Sequence, residues 1–265
     1  MDVSYITAEM SPDFERAVRV GAKAGVSVVS IRSKAWGKAI EDLSDDEVAR
    51  TREVLAEHGM RVGMVLSPVG KRDITDDVAI AKHGDILKRT IRLAHALDTD
   101  TIRVFPFRPP APTPFTNSRF DEYRDRVAEC WAPWVEMAGD EGVILCFEWV
   151  GTTLVLTCEQ MRRVVDDLGG PKHVGVIWEI DVSAQAGESP EVGYPHIQGL
   201  IRDTHIKRFD GGATREEYAR AVQLLAADGY DGPLTVEHWG GEGETLDGIR
   251  QVTRLGAGAT DQVDR

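Results

Sequence analysis

Val143-Ile-Leu-Cys-Phe-Glu148 is a short apolar run that ends directly in a carboxylate, and the same arrangement recurs at Val174–Glu179 and Leu234–Glu237. A fourth apolar run, Asp203–Ile206, carries His205 near its end. Short runs rich in β-branched residues are typical of buried strands. A polar residue at the end of each run indicates a site at the carboxyl edge of a parallel sheet.

Outward from these runs, the chain alternates regularly between strand and helix patterns. Strict alternation predicts a parallel sheet with helices outside it, because parallel strands need crossover connections. Eight such units predict a single (β/α)8 TIM barrel over residues 1–255, and no GxGxxG follows the first strand to favour an open doubly wound sheet. The predicted strands are Val3–Ile6, Val26–Ile31, Arg61–Leu66, Thr101–Phe105, Val143–Phe147, Val174–Trp178, Asp203–Ile206 and Leu234–Val236.

Capping signals and apolar periodicity mark the helices. Ser11-Pro12 predicts an N-cap followed by a proline at N1, and Ser44–Glu47 and Thr157–Gln160 each predict a capping box. Further helices are predicted at Ile80–Leu97, Asp121–Ala138, Thr214–Ala227 and Thr245–Leu255, with a short one between Gly187 and Leu200. The proline-rich stretch Phe105–Phe115 predicts a rigid loop beside the site, and residues 256–265 predict a polar, frayed C-terminal tail.

Composition narrows the class of protein. The 265 residues carry a net charge of −13, with 44 acidic and 31 basic side chains, and they contain no basic block that would bind nucleic acid. No apolar run approaches the roughly 20 residues of a membrane span, and the N-terminus lacks the pattern of a secretory signal. Three cysteines without CxxC spacing argue against a disulfide framework. We therefore expect a cytoplasmic protein with no membrane or nucleic-acid partner.

The strand ends supply a candidate metal site. Glu148, Glu179, His205 and Glu237 end four neighbouring strands, so they should converge at the carboxyl-terminal face of the barrel. Three carboxylates buried together are costly unless a cation compensates them. Mixed oxygen and imidazole ligands suit Mn²⁺ best, with Co²⁺ or Mg²⁺ as alternatives. They suit a structural zinc less well, because structural zinc prefers cysteine and histidine ligands.

Each of these residues also has a simpler interpretation. A lone glutamate after a strand is more often a helix-terminal or surface charge, and a lone histidine is more often a hydrogen-bonded structural residue. The coincidence of four at strand ends favours a metal site. Trp149, Trp178 and Trp239, which adjoin the acids, belong either to the core or to an apolar wall for a sugar ring. His238 should face away from Glu237 by strand alternation.

The chain resembles the xylose isomerase-like TIM-barrel superfamily of sugar isomerases and epimerases, which includes the metal-dependent AP endonucleases. Within it, the branch that handles keto-sugars and 3-keto-glycosides, as epimerases or lyases, is the most similar. The resemblance covers nearly the whole chain and lies in Ile31–Trp36, Ser67–Lys71, Ile102–Phe105, Phe147–Trp149 with Gly151-Thr152, Val174–Glu179, Ala186–Pro190, Thr204–Lys207, Tyr230–Gly232 and Val236–His238.

The resemblance implies one divalent ion held by Glu148, Glu179, His205 and Glu237. Where the family usually has aspartate, this chain has Glu179, so Asp181 is an alternative second ligand. A frequent family histidine is replaced here by Val182, and His205-Ile-Lys-Arg208 replaces a frequent His-x-Lys-Asp. Because of these departures, a protein whose metal site is degenerate remains an alternative.

The implied reaction is proton abstraction next to a carbonyl, with a metal-stabilised enediolate and Glu148 and Glu237 as the acid and base. Lys207, and Arg103 or Arg108, are candidates to bind the substrate. Epimerase, isomerase and lyase outcomes all remain open. The alternatives are a non-catalytic sugar-binding or partner subunit and, less favoured, an AP-endonuclease-type phosphodiesterase. A homo- or hetero-oligomer is compatible with the sequence, which names neither the substrate nor the oligomeric state.

Overall fold

The computed structural model describes residues 1–112, 114 and 118–263, and its eight strands form one closed parallel barrel. Each strand pairs with its neighbours in sequence, and β1 closes the ring by pairing with β8, with Ser4 opposite Thr235. This confirms the predicted single (β/α)8 TIM barrel. The strands are β1 Val3–Ile6, β2 Val28–Arg32, β3 Arg61–Leu66, β4 Thr101–Val104, β5 Ile144–Glu148, β6 Val174–Glu179, β7 Ile201–Ile206 and β8 Leu234–Val236.

The helices lie between successive strands in the chain and after the last one. They are α1 Thr7–Met10, α2 Phe14–Lys23, α3 Asp45–Glu57, α4 Asp77–Ala96, α5 Phe120–Asp140, α6 Cys158–Asp167, α7 Ile180–Gln185, α8 Pro190–Ile197, α9 Arg215–Ala227 and α10 Glu242–Val263, with a 3-10 turn at Ile40–Asp42. The short helix expected between Gly187 and Leu200 is α8. Among the described residues, no helix is both long and apolar enough to cross a membrane.

Two predicted helix starts need correction. Ser11 is not an N-cap: it ends the short helix α1, and the carboxylate of Asp13 caps α2 by accepting a hydrogen bond from the Arg16 amide at 3.0 Å. The capping box at Ser44 is present as predicted. At Thr157 only half of the box forms, because the Gln160 side chain accepts from the Leu156 amide instead.

The C-terminal segment also differs from the expectation. Helix α10 continues to Val263, so most of the predicted tail is helical, and residues 264–265 lie outside the described residues. Buried Leu255 and Ala259 extend the apolar face of the helix by one turn, which compensates for the two glycines between them. Within the proline-rich loop, Thr113 and residues 115–117 lie outside the description.

Two hydrophobic regions lie on opposite sides of the strands. A small cluster fills the barrel interior and consists of Ile6, Met64, Leu66, Cys146 and Ile177. The main core lies between the barrel and the helices and includes Phe147 and Trp178. Alternation along each strand therefore sends residues two positions beyond Cys146 and Ile177 into the barrel, at its carboxyl-terminal mouth.

Candidate metal centre

The four polar residues predicted from the strand ends meet inside the mouth of the barrel. Glu148 and Glu179 stand two positions beyond Cys146 and Ile177, which line the interior, so their side chains point inward too. Glu179 pairs in register with His205, and Glu237 directly follows β8. All four are buried, with exposed fractions between 0% and 2%.

The distances within this group are short. His205 Nδ1 lies 2.7 Å from Glu179 Oε1 and 3.2 Å from Glu237 Oε2. One donor atom from each of Glu148, Glu179, His205 and Glu237 can be chosen such that all lie within 4.8 Å of one another. We call this group the acid cluster.

Three cationic side chains contact the acid cluster from its rim. Arg103 Nη1 lies 2.9 Å from Glu148 Oε2, and Lys207 Nζ pairs with Glu179 Oε2. The third cation, Arg32, lies 3.3 Å from Glu237 Oε1. Each glutamate therefore has a cation of its own. The structure places Arg103 and Lys207, both predicted to bind substrate, directly in the site.

Burial and neighbouring charges act in opposite directions on the pKa values of the acid cluster. Burial raises the pKa of Glu148, and Arg103 only partly offsets it. Burial opposes the charged form of Glu237 as well, but His205 and Lys207 outweigh it and hold the pKa of Glu237 well below its usual range. For His205, burial is likewise outweighed by Glu237 and Glu179, which raise its pKa well above the usual value.

The donors in the acid cluster fit a divalent cation. Buried oxygens Glu148 Oε2 and Glu237 Oε2 have no hydrogen-bond partner among the described residues, although both lie near positive charge. Two ligand atoms at right angles on one ion at about 2.1 Å are about 3 Å apart. The separations of 2.7 and 3.2 Å around His205 Nδ1 are of that size. Three carboxylates and one imidazole suit Mn²⁺ or Mg²⁺.

Asp181 lies apart from the acid cluster. It belongs to the first turn of α7, a helix that the sequence patterns did not predict, rather than to an extension of β6. Its carboxylate accepts hydrogen bonds from the amides of Gly212 and Ala213 at 2.6 and 3.1 Å and from Gln185 Nε2 at 2.9 Å. The geometry brings Glu179, and not Asp181, to the other three donors.

The prediction that two tryptophans contact the substrate is wrong, because both lie in the core. Trp149 and Trp178 are 0% and 1% exposed, and both belong to the core between barrel and helices. Trp178 lies between the inward-facing Ile177 and Glu179, so strand alternation turns its ring outward, where it packs on Tyr194 at 5.4 Å. The alternative of a core role is therefore the correct one, and neither ring forms a wall for a sugar.

Asp203, which the sequence analysis treated only as the start of a strand, lies beneath the acid cluster. Its two carboxylate oxygens accept hydrogen bonds from Thr235 Oγ1 at 2.8 and 2.9 Å, and Oδ2 lies 3.8 Å from His205 Nε2. Burial raises the pKa of Asp203 to about 6. It stands two residues before His205, so the same alternation that places His205 inward would have identified it.

A further polar group adjoins the cluster at the junction of β1, β2 and β8. The Glu9 carboxylate accepts from Arg32 Nη2 at 2.6 Å and from the His238 amide at 2.7 Å. His238 does not turn fully away from Glu237 as expected, because its φ of +58° breaks the extended conformation and leaves its Nε2 3.7 Å from Glu237 Oε1. Arg32 ends β2 and Glu9 lies in α1 directly after β1, away from the late strand ends that carry the acid cluster.

Fold and site together define a TIM-barrel protein with a buried cluster of three glutamates and a histidine at its carboxyl-terminal face. The chain belongs to the xylose isomerase-like TIM barrel family, which it matches over residues 18–255. No curated protein matches it.

Several solved structures share the fold at low sequence identity. An L-ribulose 3-epimerase is 18% identical with a TM-score of 0.77, covering 100% of this chain and 96% of its own. A xylose isomerase-like TIM barrel protein from Mycobacterium smegmatis, in complex with magnesium, is 18% identical with a TM-score of 0.73 and covers 98% and 97%. A probable 3-DHS dehydratase from Bacillus anthracis is 13% identical with a TM-score of 0.74 and covers 96% and 99%. At these identities the likeness concerns the fold.

Proposed function

We propose that the protein is a metal-dependent enzyme that moves a proton next to the carbonyl of a keto-sugar or 3-keto-glycoside, as an epimerase or isomerase. The observation that carries the proposal is the acid cluster, whose four donor atoms lie within 4.8 Å of one another in the barrel mouth. Structural neighbours that include a sugar 3-epimerase and a magnesium complex support it. Glu148, Glu179, His205 and Glu237 would hold one divalent ion, Mn²⁺ first and Mg²⁺ or Co²⁺ as alternatives.

When bound, the ion would supply positive charge that polarises the carbonyl and stabilises the negative charge developing on its oxygen. Glu148 ends β5 and Glu237 directly follows β8, and two intervening strands separate β5 from β8 around the ring, so their carboxylates approach the centre from different sides. One would remove the proton from the carbon beside the carbonyl, and the other would return it. Arg103 and Lys207, which pair with Glu148 and Glu179, would orient substrate hydroxyls.

The product depends on where the proton returns. Return to the opposite face of the same carbon gives an epimer, and return to the neighbouring carbon gives an isomer. If a group on the next carbon leaves with the electron pair instead, the reaction is an elimination. The likeness in fold to a probable dehydratase supports this elimination as a third possible reaction.

Exchange of the substrate C–H with solvent tests the proposal whatever the product. The Mn²⁺-loaded protein, incubated in D₂O with a panel of keto-sugars, should place deuterium beside the carbonyl, as detected by NMR. Glu148→Gln and Glu237→Gln should each reduce exchange by about two orders of magnitude or more, a typical loss for a general acid or base. Glu53→Gln, an exposed position on α3, is the matched control and should exchange normally.

Chelation completes this test. Treatment with EDTA should remove about one ion per chain, as measured by elemental analysis, and abolish exchange, and Mn²⁺ should restore it. Exchange that survives complete removal of metal would contradict the metal-dependent mechanism.

One observation favours a second candidate, a non-catalytic sugar-binding or partner subunit. Each glutamate of the acid cluster already has a cationic partner, in Arg103, Lys207 or Arg32, so the buried charges are compensated without an ion. A protein of this kind would bind sugars but would neither retain metal nor exchange the C–H proton.

A further inference from the structure

Two cations on neighbouring loops, of which one is directed at the acid cluster, have no acidic partner among the described residues. Lys71, on the loop after β3, and Arg108, on the loop after β4, form no ion pair or side-chain hydrogen bond with any residue that the structure describes. The Nε atom of Arg108 is buried and has no hydrogen-bond partner in the part of the chain that the structure describes. By contrast, Arg103, Lys207 and Arg32 each contact a glutamate.

The loop that carries Lys71 is rigidly held. Gly70 has a φ of +80°, and a Cβ built on it would lie 2.0 Å from the carbonyl oxygen of Phe105. Its amide donates to His83 Nδ1 at 3.0 Å, and the Phe105 amide donates to the Val69 carbonyl at 2.9 Å. The position of Lys71 is therefore fixed by a backbone packed directly against the neighbouring loop.

This loop directs the Lys71 ammonium toward the acid cluster. Lys71 Nζ lies 4.5 Å from the centre of the Phe105 ring, and Arg103 Cζ lies 4.9 Å from the centre of the same ring. Arg103 in turn holds Glu148 at 2.9 Å. Burial lowers the pKa of Lys71, and the charges of Glu148, Arg103 and Arg108 act on it as well.

Backbone hydrogen bonds hold Arg108 against the segment that directly follows Lys71. Its amide donates to the Arg72 carbonyl at 2.7 Å, and its own carbonyl accepts from the Ile74 amide at 3.0 Å. Two cations with no acidic partner among the described residues thus lie on the neighbouring loops after β3 and β4, and the charge of Glu148 on β5 acts on the nearer one, Lys71. A divalent ion in the acid cluster would add further positive charge there, and a neutral sugar would leave it uncompensated.

We propose that the substrate of this site carries a carboxylate, bound by Lys71 and Arg108, at the end of the molecule away from its reacting carbonyl. This rests on the proposed function and narrows its substrate class to acidic keto-sugars. Lysine and arginine form strong charge-assisted hydrogen bonds with a carboxylate, and those bonds would supply partners to two side chains that have none among the described residues.

A phosphate is the less suitable anion. Phosphate sites in proteins typically present free backbone amides. The amides of this loop are already used internally: Val69 donates to Ser67 Oγ, Gly70 to His83, Lys71 to the Pro68 carbonyl and Arg72 to the Gly70 carbonyl. Two side-chain cations without free amides match the smaller charge of a carboxylate.

A matched pair of sugars tests the inference. D-Fructose and D-fructuronate differ at C6, which is a hydroxymethyl group in the first and a carboxylate in the second. Isothermal titration calorimetry on the Mn²⁺-loaded protein should give a dissociation constant about tenfold or more lower for D-fructuronate, as expected for charge-assisted hydrogen bonds. Lys71→Met and Arg108→Met should each reduce this ratio toward one, and Lys88→Met, an exposed position on α4, should leave it intact.

Three outcomes would overturn the inference: a wild-type ratio near one, a ratio insensitive to both Lys71→Met and Arg108→Met, or D-fructose 6-phosphate binding more tightly than D-fructuronate. Near-ultraviolet circular dichroism and Mn²⁺ stoichiometry of each variant confirm that fold and metal site are intact. The proposed function is tested separately, by deuterium exchange and chelation. A protein that exchanges protons without preferring the acid sugar refutes this inference alone, and one that prefers the acid sugar without exchange refutes the reaction alone.

Discussion

Glu179 ends β6 and shows how one longer side chain is accommodated in the acid cluster. Its two carboxylate oxygens have different partners, with Oε1 facing His205 Nδ1 at 2.7 Å and Oε2 facing Lys207. Lys207 and His205 together lower the pKa of Glu179 although burial acts to raise it. The carboxylate thus joins a neutralising cation to the donor atoms that would surround an ion.

Glu179→Ala should weaken Mn²⁺ binding by about tenfold or more, a loss typical of disturbed ligation. The measurement is a Mn²⁺ titration by calorimetry. Asp181→Ala is the matched control: it removes the acceptor for the Gly212 and Ala213 amides, which destabilises that loop, but it should spare metal affinity. The reverse pattern would assign the ligand to Asp181, and equal affinity in both variants and the wild type would remove Glu179 from the ligand set.

The sequence predicted the members of the acid cluster because strand ends define positions independently of side-chain packing. It could not predict which cation pairs with which acid. Arg32 ends β2 and Glu9 lies in α1, both far from β8 in sequence, and their contacts with Glu237 and His238 depend on closure of the barrel. The predicted substrate contacts of Trp149 and Trp178 were wrong for a related reason. A residue beside an inward-facing acid in a strand must face outward.

At the scale of elements, the periodicity of the sequence predicted the order of the helices and strands along the chain. It did not predict every helix end. Helices α1 and α7 are short continuations of strands β1 and β6, without caps or apolar repeats of their own. Tertiary contacts decide them: the Asp181 side chain in α7 is held by the loop before α9. The second half of α10 likewise depends on packing that no local pattern contains.

Gly70 links two such elements, the loops after β3 and β4. Gly70→Ala should lower the free energy of unfolding by clearly more than Gly59→Ala, as measured by urea denaturation. Both glycines have positive φ, at +80° and +63°, so both substitutions carry the backbone strain of about 1–2 kcal/mol. A Cβ at Gly59 meets nothing within 4 Å, whereas one at Gly70 meets the Phe105 carbonyl oxygen. Equal losses in the two variants would show that the loops are not tightly packed.

For the whole molecule, the net charge follows from composition, but the pH response depends on buried groups that composition does not identify. His83 on α4 is 3% exposed, and its Nδ1 accepts from the Gly70 amide. Burial, with the nearby charge of Arg72, lowers the pKa of His83 from 6.5 to about 4. Below pH 6.5 the unfolded chain therefore binds a proton that the folded chain excludes.

The free energy of unfolding should fall as the pH drops from about 6.5 toward 4, and His83 should account for part of that fall. One excluded proton corresponds to about 1.4 kcal/mol per pH unit. Urea denaturation at several pH values should give a shallower fall for His83→Asn, which keeps an acceptor for Gly70 without titrating. His58→Asn, at the end of α3, is the control and should retain the wild-type slope. A wild-type slope in His83→Asn would show that this histidine is protonated in the fold.

Because β1 pairs with β8, the ring closes only when the last strand is in place. During synthesis Glu237 is made after every other member of the acid cluster, so a nascent chain cannot assemble the complete cluster until β8 and Glu237 have been made. Until then β1 and β7 both present unpaired edges, which other chains can join. An ion that needs all four donors would stabilise only the finished ring and not its precursors.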